Sequence, residues 1–367
     1  MTPMHQHLHN WLLRQVSVSQ AYPGLQKLAV LPMEEIPSTV MPAHSFASES
    51  RYLIDEGRTT PDMFAAMLPG ALYDGSTNIM LSRRGRILSE AENIWQDHPG
   101  VPAHRRYYWR FQYTKPRKTL NGVCMVLRSP ANNYYHTLVD NMPRLFWLHQ
   151  PVFRAMKIKV LVPGPLRPWE RFYLPYLLPE NAQLIEVDPK YLWHSDQMVF
   201  GSYLSRQMSG ALPQKYLDFF LPRVLPNRAR ERRHRLYITR KQAPGGRHIL
   251  NEVALMRVLE PYGFVPCVLE SLGIEEQIAL FYDAEIVVAP HGAGLTNILY
   301  SQAIDLVELH PTPAIMPHYY FMAQAMGHRY HALCANEIGR HSSFAVDVAA
   351  LAGMLEKITS GTQGERS

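Results

Sequence analysis

The sequence predicts an α/β protein with two domains, each built partly or wholly around a parallel sheet. Two observations predict this class. Along the second half of the chain, short β-branched runs alternate with segments of helical pattern, and this order is typical of βαβ units and a parallel sheet. The composition, with 47% hydrophobic and 19% charged residues over 367 positions, describes a folded globular chain long enough for two domains of ordinary size.

The first predicted domain covers residues 1–225. Residues 1 to about 120 are rich in Pro, Arg and aromatic side chains and predict only short strands and loops. From residue 123 onward, strand-like and helix-like segments alternate, which predicts a Rossmann-like part of this domain. The predicted elements are strand Val123–Leu127, helix Tyr134–Gln150, strand Lys157–Val162, helix Trp169–Leu178, strands Gln183–Val187 and Gln197–Phe200, and helix Tyr216–Leu225.

The second predicted domain covers residues 230–340 and is also Rossmann-like. Its predicted elements are strand Leu236–Thr239, helix Ile249–Leu259, strand Phe264–Leu269, helix Gly273–Tyr282, strand Glu285–Val288, a helix from Gly294, and strand Ile304–Leu309. Residues 341–367 are expected to form a C-terminal helix, Ala345–Ile358, and a tail. Whether this helix packs back across the first domain stays open.

The net charge of +6 favours an anionic ligand or surface, without choosing between a nucleotide, a nucleic acid and a membrane. An arginine-rich connector at 226–235 is the strongest basic run. No aromatic residues are interleaved with its arginines, so a solvated linker is favoured over a nucleic-acid patch, and we expect no nucleic-acid partner.

The compartment is predicted from what the sequence lacks. The three cysteines, Cys124, Cys267 and Cys334, are odd in number and form no CxxC pair, which favours a reducing compartment. No stretch approaches the ~18–20 apolar residues that span a bilayer. Residues 1–20 contain no apolar run suited to a signal peptide. We expect a cytoplasmic protein, and peripheral contact with the inner face of the membrane stays open.

The most informative segment is the glycine-rich turn Ala289–Asn297, between a predicted strand and a predicted helix. Glycine lets the backbone turn sharply and approach a ligand. Amide groups at a helix N-terminus favour an anion, typically a phosphate. His291, at the turn, could donate to a phosphate oxygen. The segment predicts a diphosphate site formed by His291, Gly292, Ala293, Gly294, Leu295, Thr296 and Asn297.

Polar residues beside other strand ends extend this predicted site. In parallel α/β sheets, ligands bind outside the carboxyl ends of the strands. Arg240 and Lys241 follow the strand Leu236–Thr239, and Arg247 and Asn251 stand near the start of the next helix. The arginines could clamp a diphosphate, and Glu308, at the end of its strand, could accept the two ribose hydroxyls. A surface salt bridge is the alternative for the basic residues.

A third constellation lies on the predicted helix Tyr134–Gln150. His136, Asp140 and Arg144 fall at i, i+4 and i+8 on one face, amid largely apolar neighbours. A His–Asp pair in this position could remove a proton from a hydroxyl, with Asp140 as the base or as the residue that orients His136. The alternative is a purely structural network. Pro143 either kinks the helix or ends it near Met142, and the second outcome would move Arg144 off the face.

Taken together, these residues resemble glycosyltransferase family 61. The matching run extends over about 75 residues, and a looser match covers Tyr135, His136, Asp140, Pro143 and Arg144. Its segments are Tyr237–Arg240, Arg247–Glu252, Gly263–Phe264, Glu270–Leu272, Glu276–Ile278, Ala289–Asn297 and Val307–Glu308.

The resemblance implies a GT-B architecture, in which two Rossmann-like domains face a cleft. It implies transfer of a sugar from a UDP-sugar to an acceptor hydroxyl of a glycan or another molecule, with inversion at the anomeric carbon. A bacterial member acting in capsular or other surface polysaccharide synthesis fits best. Asp140 or His136 would be the base, with Tyr135 and Arg144 on the acceptor side or in support.

The sequence contains no pair of Asp residues at i and i+2, the metal-binding signature of the other main glycosyltransferase architecture, so we expect no metal and no other cofactor. It also contains no P-loop and no G-x-S-x-G elbow. Two rival functions stay open. One is a nucleotide-sugar epimerase of the GT-B type, and the other is a non-enzymatic binder of nucleotides or nucleic acid.

Overall fold

A computed structural model describes residues 16–32, 63–91, 115–131, 133–204, 210–243, 246–311, 317–335 and 339–364. These residues form two compact units, one containing the described residues up to 204 and the other those from 210 onward. Each unit combines a sheet with helices, and parallel strands are present in both sheets. The predicted α/β class is therefore confirmed.

In the first unit, the described residues form a mixed sheet of eight strands. The strand order is β1-β2-β8-β5-β6-β7, and the short strands β3 and β4 branch from β8. Strands β5, β6, β7 and β8 pair in parallel, whereas the pairs that involve β1 to β4 are antiparallel. The bounds are β1 Lys27–Leu31, β2 Met63–Pro69, β3 Leu72–Asp74, β4 Ile79–Leu81, β5 Arg117–Val126, β6 Ile158–Pro163, β7 Ala182–Val187 and β8 Leu192–Gly201.

The longest helical stretch of this unit changes type along its length. It begins as a short α-helix, α2 (Tyr134–His136), continues as a π segment at Thr137–Asn141, and ends as a 3-10 helix at Met142–His149. Pro143 stands at the start of the 3-10 part, so the π segment ends here while the helical path continues. The other α-helices are α1 (Val18–Ala21) and α3 (Pro168–Leu177), and shorter 3-10 helices are Ser89–Ala91 and Pro151–Phe153.

In the part of the second unit that the structure describes, five strands form a sheet in the order β10-β9-β11-β12-β13. All its pairings are parallel, as the alternation of strands and helices predicts. The centre of the sheet, Ala284–Pro290, is buried at every position, which explains why it is a continuous apolar run interrupted only by Glu285. The bounds are β9 His234–Ile238, β10 Phe264–Cys267, β11 Ala284–Pro290, β12 Asp305–His310 and β13 Arg329–Cys334.

The described residues of this unit also form five α-helices: α4 (Gln214–Val224), α5 (Glu252–Leu259), α6 (Ile274–Tyr282), α7 (His318–Ala325) and α8 (Val348–Gly364). The 3-10 helices are Glu260–Tyr262, Leu269–Ser271, Ala293–Tyr300 and Arg340–Ser342.

Two helices correct the sequence-based division of the chain. We expected α4 at the end of the first domain, but it lies in the second unit, where the Phe220 ring is 6.4 Å from that of Tyr300. We left open whether the C-terminal helix crosses the first domain. The structure shows α8 packed on α5 of the second unit, with Leu351 and Leu255 in one buried cluster.

The arginine-rich connector is tied to the second unit by its own contacts. Arg228 forms an ion pair with Asp283 at 2.5 Å, and Arg230 donates to the carbonyls of Tyr282 and Tyr300. These two guanidinium groups are therefore bonded within the protein, which does not favour a nucleic-acid patch on the connector. Among the described helices, none is long and apolar enough to cross a membrane.

Candidate active site

The glycine-rich turn lies at the carboxyl end of β11, where the sequence places it. Parallel pairing sets Ala289 beside Glu308 of β12, and the His291 amide donates to the Leu309 carbonyl at 2.9 Å. The chain then enters the helix Ala293–Tyr300, which is 3-10 rather than α. Its first turn is closed by the Leu295 amide, which donates to the Gly292 carbonyl at 3.0 Å. The Leu295 amide is therefore not available to a ligand, in contrast with the expectation.

The two glycines of the turn are required for two different contacts. A Cβ on Gly292 would lie 2.1 Å from Nη1 of Arg240, so glycine lets the guanidinium rest against the backbone of the turn. A Cβ on Gly294 would lie 2.7 Å from Cδ1 of Leu269, so this glycine allows close packing inside the unit. Gly292 therefore shapes the surface that a ligand would meet, and Gly294 supports it.

The polar side chains that follow the glycines are buried and fix the turn. Thr296 donates to the Ala293 carbonyl at 2.7 Å, and Asn297 donates to Gln277 Oε1 at 2.9 Å. The Tyr319 hydroxyl donates to the Gly292 carbonyl at 2.7 Å from α7. The side chains of Thr296 and Asn297 are fully buried, so they act on the shape of the turn and not as direct ligand contacts.

Arg240 and Arg247 lie together beside this turn. Arg240 follows β9 and donates from Nε to the Gly246 carbonyl at 3.0 Å, which fixes its guanidinium against Gly292. Burial first, and the nearby positive charge of Arg247 second, lower the pKa of Arg240. Two guanidinium groups that repel one another are stabilised by an anion between or beside them.

Arg247 carries two further marks of a binding residue. Its backbone has φ 62°, in the left-handed region that side chains other than glycine rarely adopt. Its half-buried guanidinium forms no hydrogen bond or ion pair with any residue that the structure describes. Strained backbone and an uncompensated charge at one residue are typical of ligand sites.

Lys241 and Asn251 are not brought to this cluster, which corrects the prediction for both residues. The Lys241 ammonium is paired with Glu252 at 3.0 Å, and its side chain is 70% exposed. The Asn251 amide donates to the Val346 carbonyl and accepts from the Val346 amide, at 2.8 and 2.9 Å. Asn251 therefore joins the start of α5 to the segment before α8, and its side-chain groups are used in that contact.

His291 is hydrogen-bonded to Glu308 of the neighbouring strand β12. Nδ1 of His291 lies 2.5 Å from Oε1 of Glu308, whose other oxygen accepts from the Tyr330 hydroxyl at 2.6 Å and lies 3.3 Å from Nε2 of His310. Burial raises the pKa of the Glu308 carboxyl, but the interactions with His310 and His291 outweigh it, so the pKa lies well below its usual range. Burial lowers the pKa of His291.

This geometry overturns the ribose role expected for Glu308. The carboxylate has no exposed surface, and both of its oxygens are bonded within the protein. Neither His310 nor Tyr330 is among the residues predicted from the sequence. The alternation of side chains along β12 places residues 308 and 310 on one face of the strand, so His310 could have been found by the period of two.

The same network contains the residues best suited to hold a metal. Ligand atoms of His291, Glu308 and His310 lie within 4.8 Å of one another, the one such group of three in the described part of the chain. Nδ1 of His291 lies 2.5 Å from one oxygen of Glu308, which is a hydrogen-bond distance. Nε2 of His310 lies 3.3 Å from the other oxygen, which is an ion-pair distance. In the structure these three side chains contact one another directly and form a hydrogen-bonded network.

The first unit contains the predicted His–Asp pair. Nδ1 of His136 lies 2.6 Å from Oδ2 of Asp140, and the side chains are 27% and 7% exposed. The Asn133 side chain caps the helix by accepting from the His136 amide at 3.0 Å. Tyr135, also predicted as a supporting residue, is buried and packs the edge of its ring against His136, 5.2 Å between centroids. A π segment, a feature frequent at functional sites, carries Asp140.

Arg144 does not complete a three-residue line with this pair. The π segment and the following 3-10 helix depart from 3.6 residues per turn, so the spacing of eight no longer places residues 136 and 144 on one face. Arg144 is buried and donates to the carbonyls of Gly201 and Leu127, at 3.1 and 3.3 Å. It joins the helical stretch to the sheet, and the predicted acceptor-side role gains no support.

Comparison with known proteins gives the family. Residues 134–305 match the family model described as Glycosyltransferase 61, a span that contains His136, Asp140, Arg240, Arg247 and His291. No functionally curated protein matches the sequence. Seventeen chains of solved structures match.

One of these solved structures is the bacterial iron-containing dodecameric glycosyltransferase TibC from enterotoxigenic E. coli H10407, at 10% identity and a TM-score of 0.30, over 76% of this chain and 80% of that one. Likeness at this level is too low for its fold, metal or assembly to be carried over. The matched span contains both the glycine-rich turn and the His136–Asp140 pair. The matched residues therefore form a glycosyltransferase family 61 domain, and the chain is a glycosyltransferase.

Proposed function

We propose that this enzyme transfers a sugar from a UDP-sugar to an acceptor hydroxyl, with inversion at the anomeric carbon. One observation carries the proposal. Beside the turn after β11, the guanidinium of Arg240 is fixed against Gly292, and the charge of Arg247, which has no described partner, acts on both Arg240 and His291. Two arginines and a histidine at the carboxyl end of a parallel sheet suit the diphosphate of a nucleotide sugar.

These side chains would stabilise the leaving group. Cleavage of the bond between sugar and phosphate leaves negative charge on the diphosphate, and fixed positive groups lower the energy of that charge. Arg240 and Arg247 can supply it, with His291 as a further donor. We propose that the reaction requires no metal, because these three residues offer the charge that a divalent ion would otherwise provide.

The acceptor hydroxyl would lose its proton to the His136–Asp140 pair. The 2.6 Å bond leaves two arrangements, in which either Asp140 orients His136 or Asp140 is itself the base. The imidazole is the more exposed of the two side chains, at 27% against 7%. This difference favours His136 as the base that contacts the hydroxyl and Asp140 as the residue that orients it.

The proposal includes a GT-B architecture, with the two units as its two Rossmann-like domains. In such an enzyme the leaving-group residues of one domain and the base of the other act on one donor and acceptor. Donor binding closes the domains and excludes water, which limits hydrolysis of the donor. Small-angle scattering with and without UDP tests this part, because closure reduces the radius of gyration. An unchanged radius would count against it. We place the enzyme in the cytoplasm, which cell fractionation would check.

A thermal-shift screen across nucleotides and UDP-sugars tests the donor class. A ligand that binds only the folded protein, at 100 times its Kd, stabilises by about 2.7 kcal/mol. We expect UDP and UDP-sugars to raise the melting temperature more than the other nucleoside diphosphates. Incubation of each UDP-sugar without acceptor, followed by NMR, separates transfer from epimerisation, because only an epimerase yields a new UDP-sugar. Absence of any shift with UDP would contradict the proposal.

A further inference from the structure

The bond between His291 and Glu308 restricts what His291 can do at a diphosphate. Nδ1 lies 2.5 Å from a carboxylate oxygen of Glu308, on the neighbouring strand. A carboxylate only accepts hydrogen bonds, so Nδ1 must carry a hydrogen that it donates to Glu308. The ring then has one nitrogen left, Nε2, which bonds to no residue that the structure describes. The imidazole retains 13% exposure.

Glu308 is itself fixed in place. The Tyr330 hydroxyl donates to its second oxygen at 2.6 Å, and His310 lies 3.3 Å from the same oxygen. Both groups come from the sheet, from β13 and β12. Because the carboxylate is fully buried, it cannot turn towards solvent or exchange its partners for water. It is a fixed negative charge directly behind the imidazole.

A neutral His291 held in this way cannot donate to a phosphate. With the hydrogen on Nδ1, Nε2 of the neutral ring is an acceptor, and two acceptors facing each other repel. Donation to the diphosphate therefore requires a second proton, on Nε2. The resulting imidazolium would lie between two anions, Glu308 on one side and the diphosphate on the other.

We propose that Glu308 is a positioning residue that fixes the Nδ1–H of His291, and that His291 takes up one proton from solvent on Nε2 when the diphosphate binds. This inference rests on the proposed diphosphate site. It assigns Glu308 a task other than ribose binding. It also makes His291 a charged partner of the leaving group, with the second positive charge supplied at the moment when the ligand arrives.

The groups around His291 set the direction of this proton uptake. Charged or titratable side chains face it from four places: Glu308 and His310 of β12, Arg240 and Arg247 beside the turn, His318 and Tyr319 of α7, and Tyr330 of β13 behind Glu308.

Burial is the largest cause that lowers the pKa of His291, and the charge of Arg247 lowers it further, whereas Glu308 raises it. The largest of these effects, burial, favours the neutral ring before ligand binding. A bound diphosphate adds negative charge and raises the pKa. A group whose pKa is higher in the complex makes binding weaken as the pH rises through that higher value.

Isothermal titration of UDP into the full chain measures the proton directly. At about pH 8, well above the second phosphate pKa of about 6, UDP itself takes up few protons. The binding enthalpy is measured in two buffers of different ionisation enthalpy, and their difference gives the number of protons exchanged. We expect net proton uptake by the wild type, less by Glu308→Gln, and none by His291→Gln.

A double-mutant cycle separates positioning from a merely structural role. Glu308→Gln should weaken UDP binding by about 10- to 100-fold, the range for a lost interaction with a charged group. In a His291→Gln background, the same substitution should cause little further loss, because Glu308 acts through His291. Asp305→Asn is the matched control: Asp305 is a buried carboxylate of the same strand, paired with Arg329 and His331, and its loss should leave UDP binding and proton uptake unchanged.

The outcomes distinguish this inference from the proposed function. If the wild type does not bind UDP, both are wrong. If it binds UDP without proton uptake, or if the two substitutions weaken binding additively, only the inference is wrong. One equivalent of tightly bound metal in the purified protein would also overturn it, because the network would then hold an ion. Should Glu308→Gln not fold, the comparison of proton uptake by the wild type and His291→Gln still decides.

Discussion

Among the histidine–carboxylate pairs of the described residues, two have nearly the same bond and different surroundings. In the first unit, His136 and Asp140 are 2.6 Å apart and lie four residues apart on one helical stretch. In the second unit, His291 and Glu308 are 2.5 Å apart and lie 17 residues apart on neighbouring strands. The first carboxylate retains some exposure, whereas the second is fully buried and bonded by Tyr330.

In the proposed reaction, this difference suits the two pairs to two different roles. An imidazole that is about one quarter exposed can exchange its proton with a bound hydroxyl and then with solvent, as a base must. An imidazole over a buried carboxylate is better suited to hold a charge in a fixed place, which is what a leaving group requires. In the proposed reaction, proton removal belongs to the first unit and charge stabilisation to the second, and substitutions can separate these roles.

The largest effect is expected from the first pair. Asp140→Asn and His136→Ala should each lower kcat by about 10²- to 10⁴-fold, the usual contribution of general-base catalysis. The affinity for UDP should stay within about twofold of the wild type, because the pair acts on the acceptor and not on the diphosphate. Initial rates at saturating donor and titration calorimetry of UDP give the two quantities.

His149→Gln is a control for this experiment, since His149 lies on the same helical run and contacts the Leu177 carbonyl instead of a carboxylate. It should retain nearly full activity. Wild-type turnover by Asp140→Asn or His136→Ala would show that the residue concerned is not required for proton removal. Loss of UDP affinity in either variant would show that the His136–Asp140 pair also contributes to donor binding.

A second, smaller effect is expected in the donor site. Arg247→Ala and Arg240→Ala should each weaken UDP binding by about 10- to 100-fold, since a hydrogen bond to a charged group contributes about 1.5–3 kcal/mol. The substitution Arg247→Ala should cause no loss of folding stability, because Arg247 bonds to no described residue in the free protein. Calorimetry and thermal unfolding measure both effects.

Arg235→Ala is the matched control for the arginines. Arg235 lies in the same strand, β9, as the residues that lead to Arg240, but it pairs with Glu285 far from the carboxyl end of the sheet. Its removal should leave UDP affinity unchanged. If Arg247→Ala bound UDP as the wild type does, the diphosphate would have to lie elsewhere.

The two pairs also show how far the sequence can predict such a site. The pair His136–Asp140 follows from helical spacing alone, because an interval of four residues closes a side-chain contact in any nearly α-helical stretch. The alternation of strands and helices likewise predicts the parallel sheet and the place of the glycine-rich turn.

Contacts between distant segments were not predictable in the same way. The partners of Glu308 depend on the register between β11 and β12 and on Tyr330 of a third strand, and no local pattern encodes them. Asn251 is similar, because its partner Val346 lies 95 residues away. The predicted alignment of Arg144 with His136 and Asp140 was wrong for another reason. A π segment changes the helical period, and the spacing of apolar residues does not reveal such a segment.

A still smaller effect is expected from Gly292→Ala. The new methyl group would overlap Nη1 of Arg240, the end of a flexible side chain, so Arg240 would move while the fold stays intact. We expect UDP binding to weaken about fivefold, the effect of an overpacking cost of about 1 kcal/mol. Gly353→Ala, in open space on α8, is the control and should leave binding unchanged. Unaltered UDP affinity of Gly292→Ala would mean that Arg240 does not need its position against the turn.

The smallest effect is expected from Lys241, which the sequence placed beside Arg240. In the structure its ammonium is paired with Glu252 and its side chain is 70% exposed. Glu252 retains its bonds from Tyr237 and Thr239 when the lysine is removed, so no buried charge is left alone. Lys241→Ala should therefore change UDP affinity by less than about twofold and stability by less than about 1 kcal/mol, as for exposed ion pairs. A loss of UDP affinity as large as that of Arg240→Ala would show that Lys241 leaves Glu252 when the donor binds. The positive charge of the site would then include a group that the free protein keeps at its surface.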